Sequence, residues 1–318
     1  MRKLVIQVPC YNEEATLGGT LSALPREVPG IDVVEWLIID DGSTDKTVDV
    51  AKSAGVNHVI RLPNHQGLAR AFMAGIEACL ERDADLIVNT DGDNQYYAGD
   101  IASLIAPILE EKADVVVGSR PIAQSQDFSP VKKALQQLGS WVVRKLSGTT
   151  VDDATSGFRA YSREAAMRLN VFSGYTYTLE TLLQASAMGL RVASIPVRTN
   201  PPTRESRLVK GLASYVLRSA LTLLWVLVLY RPLILFGWIS GGLLGGGLLI
   251  CLRFLYFYLV GQGRGHIQSL ILGAVLLLFG IQMVAVALIA HLISINRRLA
   301  EETQLHGRRQ RVLQRQSP

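Results

Sequence analysis

Short apolar runs rich in β-branched residues recur through the first part of the chain, at 3–9, 33–40, 56–62, 85–90 and 115–118. Their continuous rather than alternating apolar character predicts strands buried on both faces. Between them, 13–24, 45–54, 67–81 and 100–111 carry apolar residues at helical spacing. Strand and helix in alternation predict a parallel, doubly wound α/β sheet with its ligand at the carboxyl ends of the strands. Past residue 118 the alternation lapses. A basic helix is expected over 131–146, a short strand over 158–162, helices over 164–169 and 178–188, and a last strand over 191–197. This half is expected to complete the acceptor side of the cleft.

A different pattern then takes over. Between Ser219 and Asn296 the only formal charges are Arg231, Arg253 and Arg264. The expected spans, 233–258 and 267–295, are each long enough to cross a bilayer, which takes about 20 apolar residues at a rise of about 1.5 Å. A short linker at 261–266 makes them a hairpin with both ends on one side. Arg204, Arg207, Lys210, Arg218 and Arg231 precede the hairpin, and Arg297, Arg298, Arg308, Arg309, Arg311 and Arg315 follow it. The connecting turn holds only Arg264, so both termini are expected in the cytosol. In a prokaryote the membrane would be the plasma membrane. Residues 1–7 read directly into a strand, so no export signal is expected.

Lys210, Ser214, Arg218 and Thr222 recur every fourth residue, predicting an interfacial amphipathic helix over 208–230, with a third span as the rival reading. Gly241, Gly242, Gly245, Gly246 and Gly247 offer small-residue faces, either for packing against the second span or for a homo-oligomer. The expected organisation is a catalytic domain over 1–207, the amphipathic helix over 208–230, a transmembrane hairpin over 231–296 and a basic cytosolic tail over 297–318.

The net charge of +5 lies mostly in the juxtamembrane arginines, which suits anionic lipid headgroups. No nucleic-acid recognition motif appears, and no nucleic-acid partner is expected. Cys10, Cys79 and Cys251 lack metal or redox spacing and are expected as small buried apolar residues.

Three polar motifs follow apolar runs. In Pro9-Cys10-Tyr11-Asn12-Glu13-Glu14, Asn12 is expected to cap the next helix, whose amides would then face a nucleotide. In Asp40-Asp41-Gly42-Ser43-Thr44-Asp45, the first two acids can accept hydrogen bonds from a base or a ribose, while Asp45 can cap a helix. In Asp91-Gly92-Asp93-Asn94-Gln95, alternate residues of an extended segment point the same way, so Asp91, Asp93 and Gln95 can present oxygens to one hard cation. Magnesium or manganese held there would assist departure of a diphosphate. A calcium loop needs glycine and glutamate where this chain has Tyr96 and Ala102. A plain solvated turn is the remaining alternative.

The order Pro-x-Tyr-Asn-Glu, Asp-Asp-Gly-Ser-x-Asp, Asp-x-Asp-x-Gln resembles family 2 glycosyltransferases of the GT-A fold. Gly118-Ser119-Arg120, Asp153-Ala154-Thr155-Ser156-Gly157-Phe158-Arg159 and Arg204-Glu205-Ser206-Arg207 resemble the dolichol-phosphate mannose synthase branch and its bacterial polyprenyl-phosphate relatives. The resemblance covers residues 3–210. It implies a nucleotide-sugar pocket lined by Pro9, Tyr11, Asn12, Glu13, Asp40, Asp41, Asp91 and Gly92, and a Mg2+ or Mn2+ site at Asp91, Asp93 and Gln95. It also implies Arg120, Ser156, Arg159, Arg198 and Arg207 around the diphosphate and the acceptor phosphate, with Asp91, Asp93, Asp153 and Arg159 catalytic. Arginine's planar fork suits phosphate oxygens.

Asp153 is expected to orient an arginine rather than take a proton. His65 stands in a loop where the mannose synthases tend to carry lysine, and the segment from Asn200 to Arg204 also differs from theirs. A uridine diphosphate sugar is therefore expected before GDP-mannose, with a polyprenyl or dolichyl phosphate as acceptor. Two alternatives stay open: transfer to another lipid or a nascent polysaccharide, and a non-catalytic nucleotide-binding membrane scaffold.

Overall fold

The computed structural model describes residues 1–121, 151–171, 177–201 and 232–316, with single positions at 141, 144, 148, 221, 224, 225, 227 and 228. Apart from those single positions, the helices expected over 131–146 and 208–230 lie outside the described residues, as do Arg204 and Arg207. The chain forms two units, Met1–Ser219 with Glu302–Pro318, and Ala220–Glu301.

In the first unit, β1 (Lys3–Cys10), α1 (Leu17–Ala23), β2 (Val33–Asp40), α2 (Thr47–Ser53), β3 (His58–Arg61), α3 (Leu68–Glu81), β4 (Leu86–Asn89), α4 (Ile101–Leu109) and β5 (Val115–Ser119) alternate as expected. β6 (Arg159–Ser162), α5 (Arg163–Arg168), α6 (Thr178–Ala187) and β7 (Val192–Pro196) follow. The seven strands pair in the order β3-β2-β1-β4-β6-β5-β7, parallel except for β6, which runs antiparallel to β4 and β5. Leu4, Ile6 and Val8 of β1 face one core with α1 and α4, while Val5 faces another with α3 and α5. Burial on both faces is what an unbroken apolar run requires.

From β1 the chain winds outward through β2 and β3, then returns to lay β4 on the other flank of β1. The connections therefore reverse direction between β1 and β4, which opens a crevice at their carboxyl ends. The motifs at Pro9 and Asp91 both leave the sheet at this point.

The second unit holds α7 (Pro232–Leu259) and most of α8 (Ile267–Gln316). α7 and the stretch Ile267–Arg297 of α8 are long and apolar enough to cross a membrane, and both are mostly unburied. They pack antiparallel: the Ser240 hydroxyl donates to the Gly280 carbonyl at 3.0 Å, and Phe257 stacks on His266. The close approach belongs to Gly247, Gly273 and Gly280. A Cβ at Gly247 would lie 2.9 Å from Leu277, and one at Gly280 2.6 Å from Leu244. Nothing lies within 4 Å of a Cβ at Gly241, Gly242, Gly245 or Gly246, so these four take no part in the helix pairing.

Candidate active site

The loop after β1 is built differently from the expected helix cap. Asn12 takes a left-handed conformation, φ 52°, and α1 starts only at Leu17, after Thr16. Its side-chain oxygen accepts the Thr44 N–H at 2.9 Å, and its own N–H donates to the Ser43 hydroxyl at 2.9 Å. Asn12 thus ties the first motif to the second, and the turn that follows uses the Glu13 carbonyl to receive the Thr16 and Leu17 amides. Asp45 caps from a distance, accepting the Thr47 N–H at 3.0 Å.

Asp40 and Asp41 have opposite fates. Asp40 is fully buried; one oxygen accepts the Ser43 N–H at 3.0 Å, and the other receives no hydrogen bond, although Arg61 Nε lies 3.2 Å away. This oxygen is ion-paired with Arg61 yet unfilled as a hydrogen-bond acceptor, so it is suited to a ligand N–H or hydroxyl. Asp41 instead holds the loop after β3. It accepts the Gln66 and Gly67 N–H groups at 2.8 Å each and faces His65 Nδ1 at 2.8 Å. His65 in turn stacks on Tyr11, ring centroids 3.9 Å apart. The histidine is a wall beside Tyr11, placed by Asp41. Pro9, one residue before the end of β1, pairs with Ile39.

Past β4, the Asp91 carboxylate lies against the backbone of Gly157, where an added Cβ would come within 3.0 Å of it. Burial first, then the charge of Asp93, push the Asp91 carboxyl up to about 7, with Glu13 adding to the effect and Arg120 and Arg159 opposing it. Asp93 Oδ1 accepts the Gln95 N–H at 3.1 Å, and the Gly92 carbonyl accepts the Thr20 hydroxyl at 2.9 Å. Among the described residues no three His, Cys, Asp or Glu side chains converge as a closed metal cage. Two carboxylates and a carboxamide, with excess negative charge in a buried place, fit Mg2+ or Mn2+, which keep positions open for phosphate oxygens.

Opposite the acids, Arg120 binds Asp153 through two hydrogen bonds, 2.7 and 3.2 Å, and reaches Thr155 at 3.1 Å. Burial alone would raise the Asp153 carboxyl, but the charge and hydrogen bonds of Arg120 outweigh it and hold the group below its ordinary value. An acid so held orients its arginine and takes no proton near neutral pH.

Arg159 spends its guanidinium on the protein itself rather than offering it to a phosphate. It is fully buried, and its guanidinium donates to the carbonyls of Ser156, Thr178 and Ala154 and to the Thr181 hydroxyl, all at 2.7–2.8 Å. It staples the loop before β6 to the start of α6. Ser156 is likewise buried, with its hydroxyl 3.4 Å from the Tyr96 hydroxyl. Arg198 is committed to Asp100 at 2.6 Å and lies over the Tyr97 ring.

The sequence profile described as Glycosyl transferase family 2 matches residues 5–169, just over half of the chain. The chain belongs to this family. The undecaprenyl-phosphate mannosyltransferase of Micrococcus luteus is 30% identical over 207 residues, covering 62% of this chain and 83% of that protein. The UDP-N-acetylglucosamine–dolichyl-phosphate N-acetylglucosaminyltransferase of Methanococcus voltae is 30% identical over 214 residues, covering 60% and 83%. Among solved structures, glucosyl-3-phosphoglycerate synthase from Mycobacterium tuberculosis, in complex with Mn2+, UDP and phosphoglyceric acid, has a TM-score of 0.55. It is 21% identical and covers 70% of this chain and 78% of that one. The mostly parallel sheet is thus of the GT-A type.

Beneath its acids the glycosyltransferase has a polar layer that the motifs did not reveal. Asn89 accepts from Gln7 at 2.9 Å and donates to the Gly157 carbonyl at 2.8 Å and the Tyr177 hydroxyl at 2.9 Å. The Tyr96 hydroxyl accepts the Gly157 N–H at 3.0 Å. Together they fix Gly157 against Asp91. The signal was present in the sequence, since Gln7 and Asn89 are the polar interruptions of two otherwise apolar strands.

Proposed function

We propose that this glycosyltransferase moves a sugar from a nucleotide-sugar to the phosphate of a polyprenyl or dolichyl lipid, by one in-line displacement with inversion at the anomeric carbon. A uridine diphosphate sugar is the donor expected before GDP-mannose. The observation that carries the reading is the acidic pair Asp91–Asp93 past β4, where burial and the like charge of Asp93 push the Asp91 carboxyl up, with Arg120, held by Asp153, close enough to oppose the shift.

Asp40, with Tyr11 and His65 as a wall, receives the base or ribose of the donor. Asp91 and Asp93, with Gln95, would hold Mg2+ or Mn2+, which would neutralise the departing diphosphate. Arg120, kept in register by Asp153, faces phosphate oxygens, and Arg207 is proposed to join it. A lipid phosphate is already anionic, so the chain needs no strong base; orientation and charge supply the acceleration.

The two apolar helices and the lipid-phosphate names of the relatives support a membrane-anchored enzyme. The arginines flanking the hairpin support both ends on the cytosolic side.

A melting screen of the full chain in detergent, with UDP- and GDP-sugars and Mn2+, tests the donor and the metal together. A donor at about 100 times its Kd stabilises by about 2.7 kcal/mol, a shift of several degrees. The shift should appear with a UDP-sugar and vanish on chelation. Stabilisation that survives a chelator would remove the metal, and a shift with GDP-sugars alone would remove the uridine donor.

A further inference from the structure

The acidic loop is held from a side that its own motif does not reveal. After β7 the chain runs along residues 94–97 as a short antiparallel brace, with a bridge between Tyr96 and Thr199. The Tyr97 N–H donates to the Arg198 carbonyl at 3.2 Å, and the Asn200 N–H donates to the Gln95 carbonyl at 2.9 Å. The Asn200 side-chain amide then reaches across, 2.9 Å from the Asn94 carbonyl, 3.3 Å from Asn94 Oδ1 and 3.3 Å from the Tyr96 carbonyl. The brace is anchored at both ends. Val197 N–H donates to Ser119 in β5, and Arg198 grips Asp100 through its backbone N–H at 2.7 Å and its guanidinium.

What the brace holds is a left-handed turn. Asn94 sits at φ 57°, a conformation that asparagine adopts more readily than most side-chain-bearing residues. It stands between Asp93 and Gln95, so its conformation decides where both side chains leave the loop. Asn200 binds this turn through the carbonyl and the side chain of Asn94 at once. We infer that Asn200 is a positioning residue for the metal-holding loop, keeping Asp93 and Gln95 in the geometry that accepts a divalent cation. The inference rests on the metal reading proposed above.

The test measures Mn2+ binding rather than turnover alone. Full-length protein in detergent is titrated with Mn2+ in the presence of UDP and, in a parallel arm, GDP, following loss of the free-ion electron paramagnetic resonance signal. Asn200→Ala should weaken Mn2+ binding about tenfold, which is about 1.4 kcal/mol. Its metal-free melting midpoint should stay within about 3 °C of wild type. Activity should return at saturating Mn2+, so the variant raises the metal requirement and leaves kcat nearly intact. Asn200→Asp keeps the shape but sets an acceptor against three oxygens, and should weaken Mn2+ at least as much.

Unchanged Mn2+ affinity in both variants, while Asp93→Ala loses binding, overturns the role of Asn200 and leaves the metal site standing. The same holds if the variants lower the metal-free melting midpoint without moving the affinity. Wild-type affinity in Asp93→Ala, or no Mn2+ binding by the wild type with either nucleotide, removes the metal reading and this inference with it.

Discussion

Replacing Asp93 by alanine lowers kcat/KM for sugar transfer by about a thousandfold, the scale on which lost electrostatic stabilisation of a transition state is felt. Asp93 is one of only two carboxylates in the loop after β4, and removing it halves the charge available to a cation at that position. The variant is expected to fold. The like charge of Asp93 helps push the Asp91 carboxyl up, so its removal relieves a repulsion in the metal-free protein. The measurement is a steady-state assay across donor and metal concentrations, paired with a melting curve. Undiminished transfer by a folded variant would strip Asp93 of its role.

Arg159→Leu should have the opposite signature, a large loss of stability. Its guanidinium supplies hydrogen bonds to three backbone carbonyls and one hydroxyl in a place with no solvent. Leucine leaves those acceptors bare, at a cost of about 4 kcal/mol by the usual penalty for uncompensated buried groups. For a unit of this size that is a fall of roughly 10 °C in melting midpoint. Were Arg159 a ligand of the acceptor phosphate, the midpoint would hold and only the acceptor KM would rise. A melting curve of the ligand-free protein separates the two.

The contrast between these residues shows what a single sequence carries. Strands buried on both faces are written locally, as apolar runs closed by polar motifs, and Val33–Asp40 emerges with the bounds that the pattern predicts. Asp91 and Asp93 are neighbours, as the charge of Asp93 on Asp91 shows, but the loop that carries them turns at Gly92–Asp93 and is left-handed at Asn94, where the sequence pattern predicts an extended segment. The fates of neighbouring residues are decided by distant partners. Asp40 and Asp41 are adjacent in the chain, yet Asp41 is claimed by the backbone of the loop after β3. Asn12 has the composition of a helix cap, but the Ser43–Thr44 turn captures it and the helix begins later.

The resemblance implies a phosphate role for Arg159, and two of the acceptors that claim it instead, Thr178 and Thr181, lie on a helix some way along the chain. The hold of Asn200 on Asn94 depends on a register between β7's continuation and the acidic loop that no local pattern encodes. In each case the chemistry of the residue was legible, and its direction was set by tertiary packing.

The transfer itself is best tested by its product. Membranes containing the full-length protein are incubated with Mn2+, polyprenyl phosphate and individual nucleotide-sugars, and the organic extract is analysed by mass. Lipid-phosphate transfer predicts a species heavier than the polyprenyl phosphate by one sugar residue, absent from the Asp93→Ala sample. Sugar that appears only in polymer or in water-soluble form, with no lipid-linked product from any donor, would contradict it.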